Sequence, residues 1–518
     1  MSANMEFLHG VEIIEIDDGT RPIEMARSSV IGLIGTAPDS DGSATATLAT
    51  GQELLDTGLI WTATSAGVGG NNTGVYLRAR GVSQTLGVSV ANGVITVQLE
   101  TDAQGAAQST AAEVLAAVMA DTDAAALVTV TATGASDGTG VVEPSFRISY
   151  LEGGLDEAFP LNTPVLIAGR RREAARLGTA GTLPPAIDAI FDQYGAWVVV
   201  VRIAAGEDDA ATITNIVGDL TLHTGVKAWL DAESRIFATP RVLIAPGYTD
   251  NQAVVAEMIG VAEMLKAVVI ADGPDTTDAA AIDYRMNFGS DRVYLVDPQV
   301  KIWDTATNSH SYEPASARVA GLIAKSDNER GFWWSPSNRE INGIVGTRRG
   351  IDFEIGNAQS RANYLNEHDV ATIVRKEGWR LWGNRSCSED PKWQFLSVRR
   401  TADMIHEALQ RSHLWAVDRN ITKTYMEDVI MGVRAFLNHL TIVGAVLGGT
   451  CWADEELNSP ESIASGRVYF DFDFTPPYPA ERVTFRSHLT NQYIANLFPL
   501  RDGMSRDNGV LASIGQQQ

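Results

Sequence analysis

The chain has 518 residues, a hydrophobic content of 45% and a formal net charge of −24 at pH 7. This length exceeds one ordinary hydrophobic core and predicts two to four domains. No apolar run reaches the roughly 18 residues that a membrane span requires, and a strongly acidic chain lacks the basic surface that phosphate binding needs. We therefore expect neither membrane insertion nor direct nucleic-acid binding, and a protein as the partner.

The N-terminal segment, residues 1–22, contains a short β-prone run that precedes any packed core. Its apolar side chains are those of Val11, Ile13, Ile14 and Ile16. Asp18-Gly19 then marks a turn. The opening residues lack a basic region followed by an apolar core, so we expect no secretory signal and folding where the chain is made. The next apolar run, residues 30–38, predicts a fully buried strand.

An acidic module follows that strand. From Ser40 to Gly154 there are eleven acidic and three basic residues, and the composition is dominated by Ala, Gly, Thr and Val. Alternating strands, an Asn92-Gly93 hairpin turn and a capping box formed by Thr110 and Glu113 predict a small β-rich α+β domain. We expect residues 39–154 to be an inserted, outward-facing domain.

Helices alternate with near-continuous apolar strands in the next part of the chain. Strands are predicted at 164–169, 197–203, 241–246 and 267–272, and helices at 185–194 and 254–265. This alternation is typical of an α/β sheet that helices cover on both faces. Residues 23–38 and 155–345 would then form one α/β middle domain that carries the acidic module as an insertion.

The C-terminal domain, residues 346–498, has an α+β pattern with two helices. Apolar periodicity predicts one helix over 402–417. A second helix is predicted from a capping box at Thr424 and Glu427 to Leu447.

Two β segments follow these helices, separated by Pro476-Pro477. The apolar side chains of the first are Val468, Phe470, Phe472 and Phe474, and those of the second include Val483, Phe485 and Leu489. Residues 499–518 are polar and are expected to form a flexible tail.

The sequence lacks the usual signatures of α/β enzymes. It has no phosphate loop, dinucleotide fingerprint, nucleophile elbow or H-E-x-x-H motif. The closest match to the last, His406-Glu407, is expected to be a helix-surface pair. Asp272 ends a strand, where such enzymes place carboxylates, but alone it is more simply a turn residue. The Gly-rich stretch 67–72 predicts a flexible hairpin loop.

The two cysteines, Cys387 and Cys451, are too few for a disulfide framework or a zinc cage and are expected to be reduced core thiols. We therefore predict no catalytic residue, metal or cofactor. The alternative from another class is a cytoplasmic α/β enzyme with an acidic accessory domain, which would need a convergent catalytic cluster.

Arginine accounts for 33 of the 40 basic residues. Its planar guanidinium suits bidentate pairing with carboxylates at protein interfaces. The clusters at 170–172, 348–349 and 399–400 lie among acidic residues, and we interpret them as interface ion-pairing sites.

One stretch closely resembles the signature of contractile phage tail sheath proteins. It comprises residues 316–327, with Val319-Ala320-Gly321, the turn from Gly331 to Asn338, and residues 341–344. The residues of the turn that carry the resemblance are Gly331, Trp333, Ser335, Pro336 and Asn338. In that family the Gly, Pro and Asn set the backbone and the aromatic side chains pack against the helix. The resemblance covers about three quarters of the chain and leaves out residues 39–154.

The resemblance implies a non-enzymatic, cofactor-free subunit that polymerises as stacked six-subunit rings around a tail tube. Contraction would drive the tube through the host envelope for genome delivery. It further implies contact with the tube protein through the C-terminal domain, with baseplate and tail terminator proteins as further partners. The chain would assemble in the host cytoplasm and reside in the virion tail. A tailocin or another contractile injection system would share this fold.

The chain ends are implied to be inter-subunit arms. A β segment before the core and another at the far end have unpaired backbone groups. In the family such arms add to a neighbouring subunit's sheet, so the segment 467–474 would be the acceptor strand. Head-to-tail contacts of this kind build helical filaments. The alternative is that both ends are edge strands of their own domain.

Overall fold

A computed structural model describes residues 23–491 and 493–494. The chain divides into two compact units, Met1–Pro479 and Ala480–Gln518. The predicted arm residues Val11, Ile13, Ile14 and Ile16 and the predicted flexible tail lie outside the described residues.

The strands are, in chain order, β1 (Ile31–Thr36), β2 (Thr45–Thr50), β3 (Leu59–Ala66), β4 (Gly74–Arg78), β5 (Gly87–Ala91), β6 (Val94–Gln98), β7 (Val128–Ala132), β8 (Ser149–Tyr150), β9 (Pro164–Ala168), β10 (Trp197–Ile203), β11 (Val242–Ile244), β12 (Val268–Asp272), β13 (Val293–Val296), β14 (Val300–Asp304), β15 (Ser309–Glu313), β16 (Gly346–Thr347), β17 (Val370–Arg375), β18 (Trp379–Trp382), β19 (Gly448–Ala453) and β20 (Phe470–Thr475). The α-helices are α1 (Ala111–Ala120), α2 (Thr122–Leu127), α3 (Arg171–Ala174), α4 (Leu183–Phe191), α5 (Asp209–Val217), α6 (Ala232–Ile236), α7 (Gln252–Leu265), α8 (Asp278–Arg285), α9 (Ser316–Arg330), α10 (Arg361–Glu367), α11 (Leu396–Ser412), α12 (Lys423–Ile442) and α13 (Pro460–Ala464).

An eight-stranded sheet forms the centre of the first unit, in the order β18-β17-β13-β12-β11-β1-β10-β9. The inner strands are parallel, and β9 and β18 are antiparallel strands at the two edges. Ile31 and Leu33 of β1 enter a core shared with α4 and α9, whereas Ile34 enters a core shared with α5, α7 and α8. Burial on both faces explains the continuous apolar runs, and the predicted mixed α/β multidomain class is confirmed.

The sheet extends past the predicted domain boundary at residue 345. Strands β17 and β18 belong to it, because β17 pairs with β13 from Leu295 opposite Val370. The sequence prediction placed these residues in the C-terminal domain and assigned no strand to them. Parallel partners are distant in sequence, so local patterns could not show this pairing.

The inserted module contains two small sheets, β2-β3-β7 and β5-β6-β4-β8, around a core of its own that includes Trp61, Ile95 and Val114. The predicted Asn92-Gly93 hairpin joins β5 to β6, and the predicted Thr110/Glu113 capping box begins α1. The predicted flexible hairpin loop at 67–72 is instead a short 3-10 helix between the two sheets. Asn71 holds it, because its side chain exchanges two hydrogen bonds with the Gly154 backbone, of 3.0 and 2.8 Å.

The two predicted C-terminal helices exist with different bounds. Helix α11 begins six residues before the predicted start and ends at Ser412, and α12 ends at Ile442 rather than at Leu447. The cap of α12 is Thr422, whose hydroxyl accepts a hydrogen bond from the Tyr425 amide, and not Thr424. Gly444, at φ +82°, adopts the left-handed conformation that ends many helices.

The two predicted β segments differ in outcome. Strand β20 begins at Phe470, so Val468 lies outside it, because the Asn458 side chain binds both backbone groups of Tyr469 in place of a strand partner. Among the described residues, the segment 476–490 contains no strand, and the pairing of residues 482–489 with a neighbouring copy stays a prediction. Alternating apolar residues predict a strand only where a partner is at hand.

Candidate assembly surfaces

The signature helix α9 is buried on nearly every side and is anchored at its N-terminus by Asp272. The Ser316 amide and hydroxyl donate hydrogen bonds of 2.8 and 2.5 Å to the Asp272 carboxylate, and Thr249 donates a third of 3.1 Å. Burial raises the pKa of Asp272 to about 6, and these hydrogen bonds oppose the rise. The carboxylate at the end of β12 therefore positions a helix.

The middle of α9 is fixed to the end of α4. A Cβ on Gly321 would lie 2.7 Å from the Ile190 carbonyl oxygen, so only glycine allows this close approach. Buried Arg318 donates to Asp192 at 3.0 Å and to Glu313 at 2.9 Å. These contacts explain why small and charged residues share the signature.

The signature turn begins at Gly331, which ends α9 at φ +106°. A Cβ there would lie 2.3 Å from the Trp333 ring. Trp333 packs against the core that joins α11 to α12, Pro336 is buried, and the Ser335 hydroxyl accepts from the Ser337 amide at 3.2 Å. The aromatic side chain thus links α9 to the C-terminal helices.

The turn ends on an edge of the central sheet. Asn338 adopts φ +60°, and its backbone N–H donates a hydrogen bond of 2.7 Å to the Leu381 carbonyl of β18. The Leu381 amide donates to Arg339 at 3.0 Å, and the Ile341 amide donates to Trp379 at 2.8 Å. The signature therefore covers the open edge of β18, a role that the sequence did not show because β18 was not predicted.

Helix α11 docks on the sheet through buried ion pairs. Arg292 donates two hydrogen bonds to Asp403, of 2.8 and 3.0 Å, and Arg399 donates a third of 3.0 Å. Arg400 donates to both carboxylate oxygens of Asp327 through its two terminal guanidinium nitrogens. The predicted interface role of the 399–400 cluster is corrected, since these side chains are buried and pair within the subunit.

His406 and Glu407 also lie on α11, and the interpretation that they form a pair on the helix surface is wrong. Glu407 is buried and pairs with Arg241. His406 contacts Phe472 and Phe474 edge-on, with ring centroids 5.9 and 6.2 Å apart, and burial lowers its pKa.

The other arginine clusters also find partners within the subunit. Arg171 binds Asp188 and Asp192, each at 2.9 Å. Arg349 binds Asp278 and Asp297 beyond the ends of β12 and β13. These ion pairs lie at the carboxyl ends of the strands, the edge at which parallel sheets usually bind ligands.

Among residues 23–491 and 493–494 no group of three or more His, Cys, Asp or Glu side chains could hold a metal ion. In the same part of the chain no helix is both long enough and apolar enough to cross a membrane. Cys387 and Cys451 are free and buried, and burial raises the pKa of both thiols.

The predicted acceptor strand lies in a two-stranded antiparallel ribbon, β19-β20, with no third strand among the described residues. Phe470, Phe472 and Phe474 pack against the core of α11 and α12. The ribbon therefore has one face on the helices and two outer edges that no described strand covers.

The predicted C-terminal arm residues belong to the second unit and are exposed. Val483, Phe485 and Leu489 have exposed fractions of 68%, 91% and 100%. Large apolar side chains concentrated in this way mark contact surfaces.

The fold defines a structural class. The chain matches a subunit of the anti-feeding prophage baseplate in its contracted state with a TM-score of 0.53 and 16% identity, covering 66% of this chain and 98% of that one. The chain therefore shares the fold of a subunit of that contracted assembly.

Family profiles and relatives identify the chain further. The profiles described as phage tail sheath protein central domain and phage tail sheath C-terminal domain match residues 224–387 and 388–490, and that of tail sheath protein Gp18 domain III N-terminal region matches 148–203. The tail sheath protein of Burkholderia phage BcepMu is 33% identical over 515 residues, covering 96% of this chain and 99% of that protein. The chain belongs to the contractile phage tail sheath family.

A second relative differs in coverage. The tail sheath protein of Escherichia phage P2 is 36% identical over 352 residues, which cover 88% of that protein but only 66% of this chain. The P2 protein is therefore the shorter of the two.

Proposed function

We propose that the chain polymerises as stacked six-subunit rings around a tail tube, and that contraction drives the tube through the host envelope. The observation that carries the proposal is the ribbon β19-β20, which has uncovered outer edges, in a chain that also contains the exposed apolar segment 483–489. Strand addition would satisfy the edge groups and bury the apolar side chains together.

Both chain ends are proposed to act as arms. Residues 1–22 would add one strand to the ribbon of a neighbouring copy, and residues 480–490 would add another. An arm that leaves one copy and enters the next is a heterologous contact, which extends a filament and does not close on itself. In this arrangement the C-terminal domain would contact the tube protein, and the ends of the filament would contact baseplate and terminator proteins.

Contraction is proposed to need no catalysis. The free energy would reside in a metastable extended assembly that shifts cooperatively to tighter packing. Assembly in the host cytoplasm and residence in the virion tail follow from this function. The sheath of a tailocin or of an extracellular injection system is the second candidate, because a subunit of such a system has this fold.

The test is polymerisation of arm variants. We expect the full chain to form striated hollow tubes by negative-stain microscopy, and the triple variant Val483→Ser, Phe485→Ser and Leu489→Ser to remain a folded monomer. Deleting residues 1–22 should have the same effect.

The control is the double variant Leu222→Ser and Phe237→Ser, which alters similarly exposed side chains, 74% and 85%, that belong neither to the arms nor to the inserted domain. It should form tubes. Tubes from the arm variants, or unfolding of either one, would contradict the proposal.

A further inference from the structure

The small sheet β15-β14-β16 has one buried and one exposed face. Strand alternation places Val300 and Glu313 inward, where Val300 is fully buried and Glu313 binds Arg318. On the outer face Lys301 lies opposite Tyr312, and Trp303 opposite His310.

The outer face continues across the sheet. Lys301 is the partner of Gly346, and a Cβ on Gly346 would lie 3.9 Å from the Trp379 ring. The Arg348 guanidinium lies over the Tyr312 ring, 5.2 Å from its centroid. We name Lys301, Trp303, His310, Tyr312, Arg348 and Trp379 the aromatic platform.

Two properties of the platform are typical of a protein interface. Trp303 and Tyr312 are 47% and 45% exposed, and Trp, Tyr and Arg are the residues that dominate binding energy at interfaces. Its charge is positive: Lys301 forms no ion pair with a described carboxylate, while Arg348 lies 3.4 Å from Asp275. The turn between its two strands is hydrogen-bonded, since the Asp304 carboxylate accepts from the Ala306 amide at 2.8 Å and from the Thr307 hydroxyl at 2.7 Å.

The inserted domain is negatively charged, whereas the aromatic platform is positively charged. The described residues 42–154 form no ion pair, although this range has ten acidic and three basic residues, whereas the arginine clusters elsewhere are paired internally. Its engaged carboxylates mainly accept from backbone amides, as Asp102 and Asp121 do. Its negative charge is thus left for an external partner.

We infer that the aromatic platform of one subunit binds the acidic inserted domain of a second copy. Opposite uncompensated charges favour and orient this contact, and the exposed aromatic side chains would supply its buried centre. The inference rests on the proposed polymerisation and adds an outer contact to the arms.

The test is carbodiimide cross-linking of tubes assembled from mixed isotopically heavy and light chains. A carbodiimide joins an amine to a carboxylate in direct contact, so we expect heavy–light peptides that link Lys301 to the inserted domain. The mass spectrum identifies the acceptor carboxylate, and heavy–light pairs prove that two copies are joined.

The double variant Trp303→Ala and Tyr312→Ala should lower the yield of this cross-link about tenfold. Trp334→Ala with Tyr364→Ala is the matched control, because these side chains are also 47% and 45% exposed, and it should leave the yield unchanged. Tubes in which Lys301 joins only other regions, or in which both variants lose the cross-link equally, would overturn the contact and leave the proposed function intact. Failure of the unaltered chain to form tubes would overturn both.

Discussion

At the residue scale, Asp272 links the position of a helix to protonation. Its pKa is raised to about 6 by burial, whereas an unfolded aspartate titrates near 3.9. The folded chain therefore binds the proton more tightly, so this group contributes stability that is full below about pH 4 and is lost as the pH rises through 6.

Asp272→Asn should remove this dependence while keeping a carbonyl oxygen for Ser316. The free energy of unfolding of the variant minus that of the unaltered chain should therefore rise by about 2 to 3 kcal/mol as the pH increases from 4 to 7. Urea denaturation of the unpolymerised chains at several pH values measures the difference. A difference that stays constant across this range would exclude the assigned titration.

The buried ion pairs of α11 differ in energy from those at the surface. Asp403→Ala leaves Arg292 and Arg399 without their shared carboxylate, and we expect a loss of about 3 to 5 kcal/mol in the free energy of unfolding. Glu427→Ala removes an exposed pair with Lys423 at 3.7 Å and should cost less than about 1 kcal/mol. Denaturation midpoints of the two variants measure this contrast, which equal losses would refute.

At the element scale, the signature turn connects α9, the edge of β18 and the C-terminal helices. Gly331→Ala would force a side chain into the Trp333 ring at a positive φ, so we expect a loss of about 1 to 3 kcal/mol.

Gly432→Ala is the control for this change. Gly432 lies inside α12 with open space around its Cβ position, so alanine should stabilise by about 1 kcal/mol. Thermal melting compares the two variants, and a neutral result at residue 331 would show that the turn relaxes without strain.

Partners decide whether an alternating segment becomes a strand. Residues 470–475 form β20 because β19 lies beside them, whereas residues 482–489 have the same kind of alternation and form no strand. The two patterns are equivalent in the sequence, so only the position of a neighbouring backbone separates them.

At the scale of the whole molecule, the two chain segments that connect the inserted domain to the rest of the chain pair with each other. Ala44 and Leu155 exchange backbone hydrogen bonds of 2.8 and 3.1 Å, which places their Cα atoms about 5.5 Å apart. Asp41 then binds Arg176 of the middle domain at 3.3 Å. A two-residue turn can span the gap between Ala44 and Leu155.

Replacing residues 45–154 by Asn-Gly should therefore leave the rest of the chain folded. Calorimetry should show an unchanged main melting temperature. A separate transition of the module, where the unaltered chain has one, should disappear. A longer deletion, residues 40–158, removes the paired connections as well and should lower that temperature. Unfolding of the shorter deletion would show that the module is part of the main core.

The amino-acid sequence alone determined the mixed α/β class, the Asn92-Gly93 hairpin, the Thr110/Glu113 capping box and the family signature. These depend on local periodicity, turn chemistry and short motifs, all of which act between residues close in the chain. The roles of the arginines, of Asp272 and of the signature turn against β18 could not be read in this way.

Only the tertiary structure decided those roles, because each depends on groups far apart in sequence. Arg400 pairs with Asp327, 73 residues away, and Asp272 binds Ser316, 44 residues away. An arginine beside acidic neighbours has the same local pattern whether it lies in the core or at a subunit interface. Burial and the long-range partner, which the fold alone supplies, distinguish the two cases.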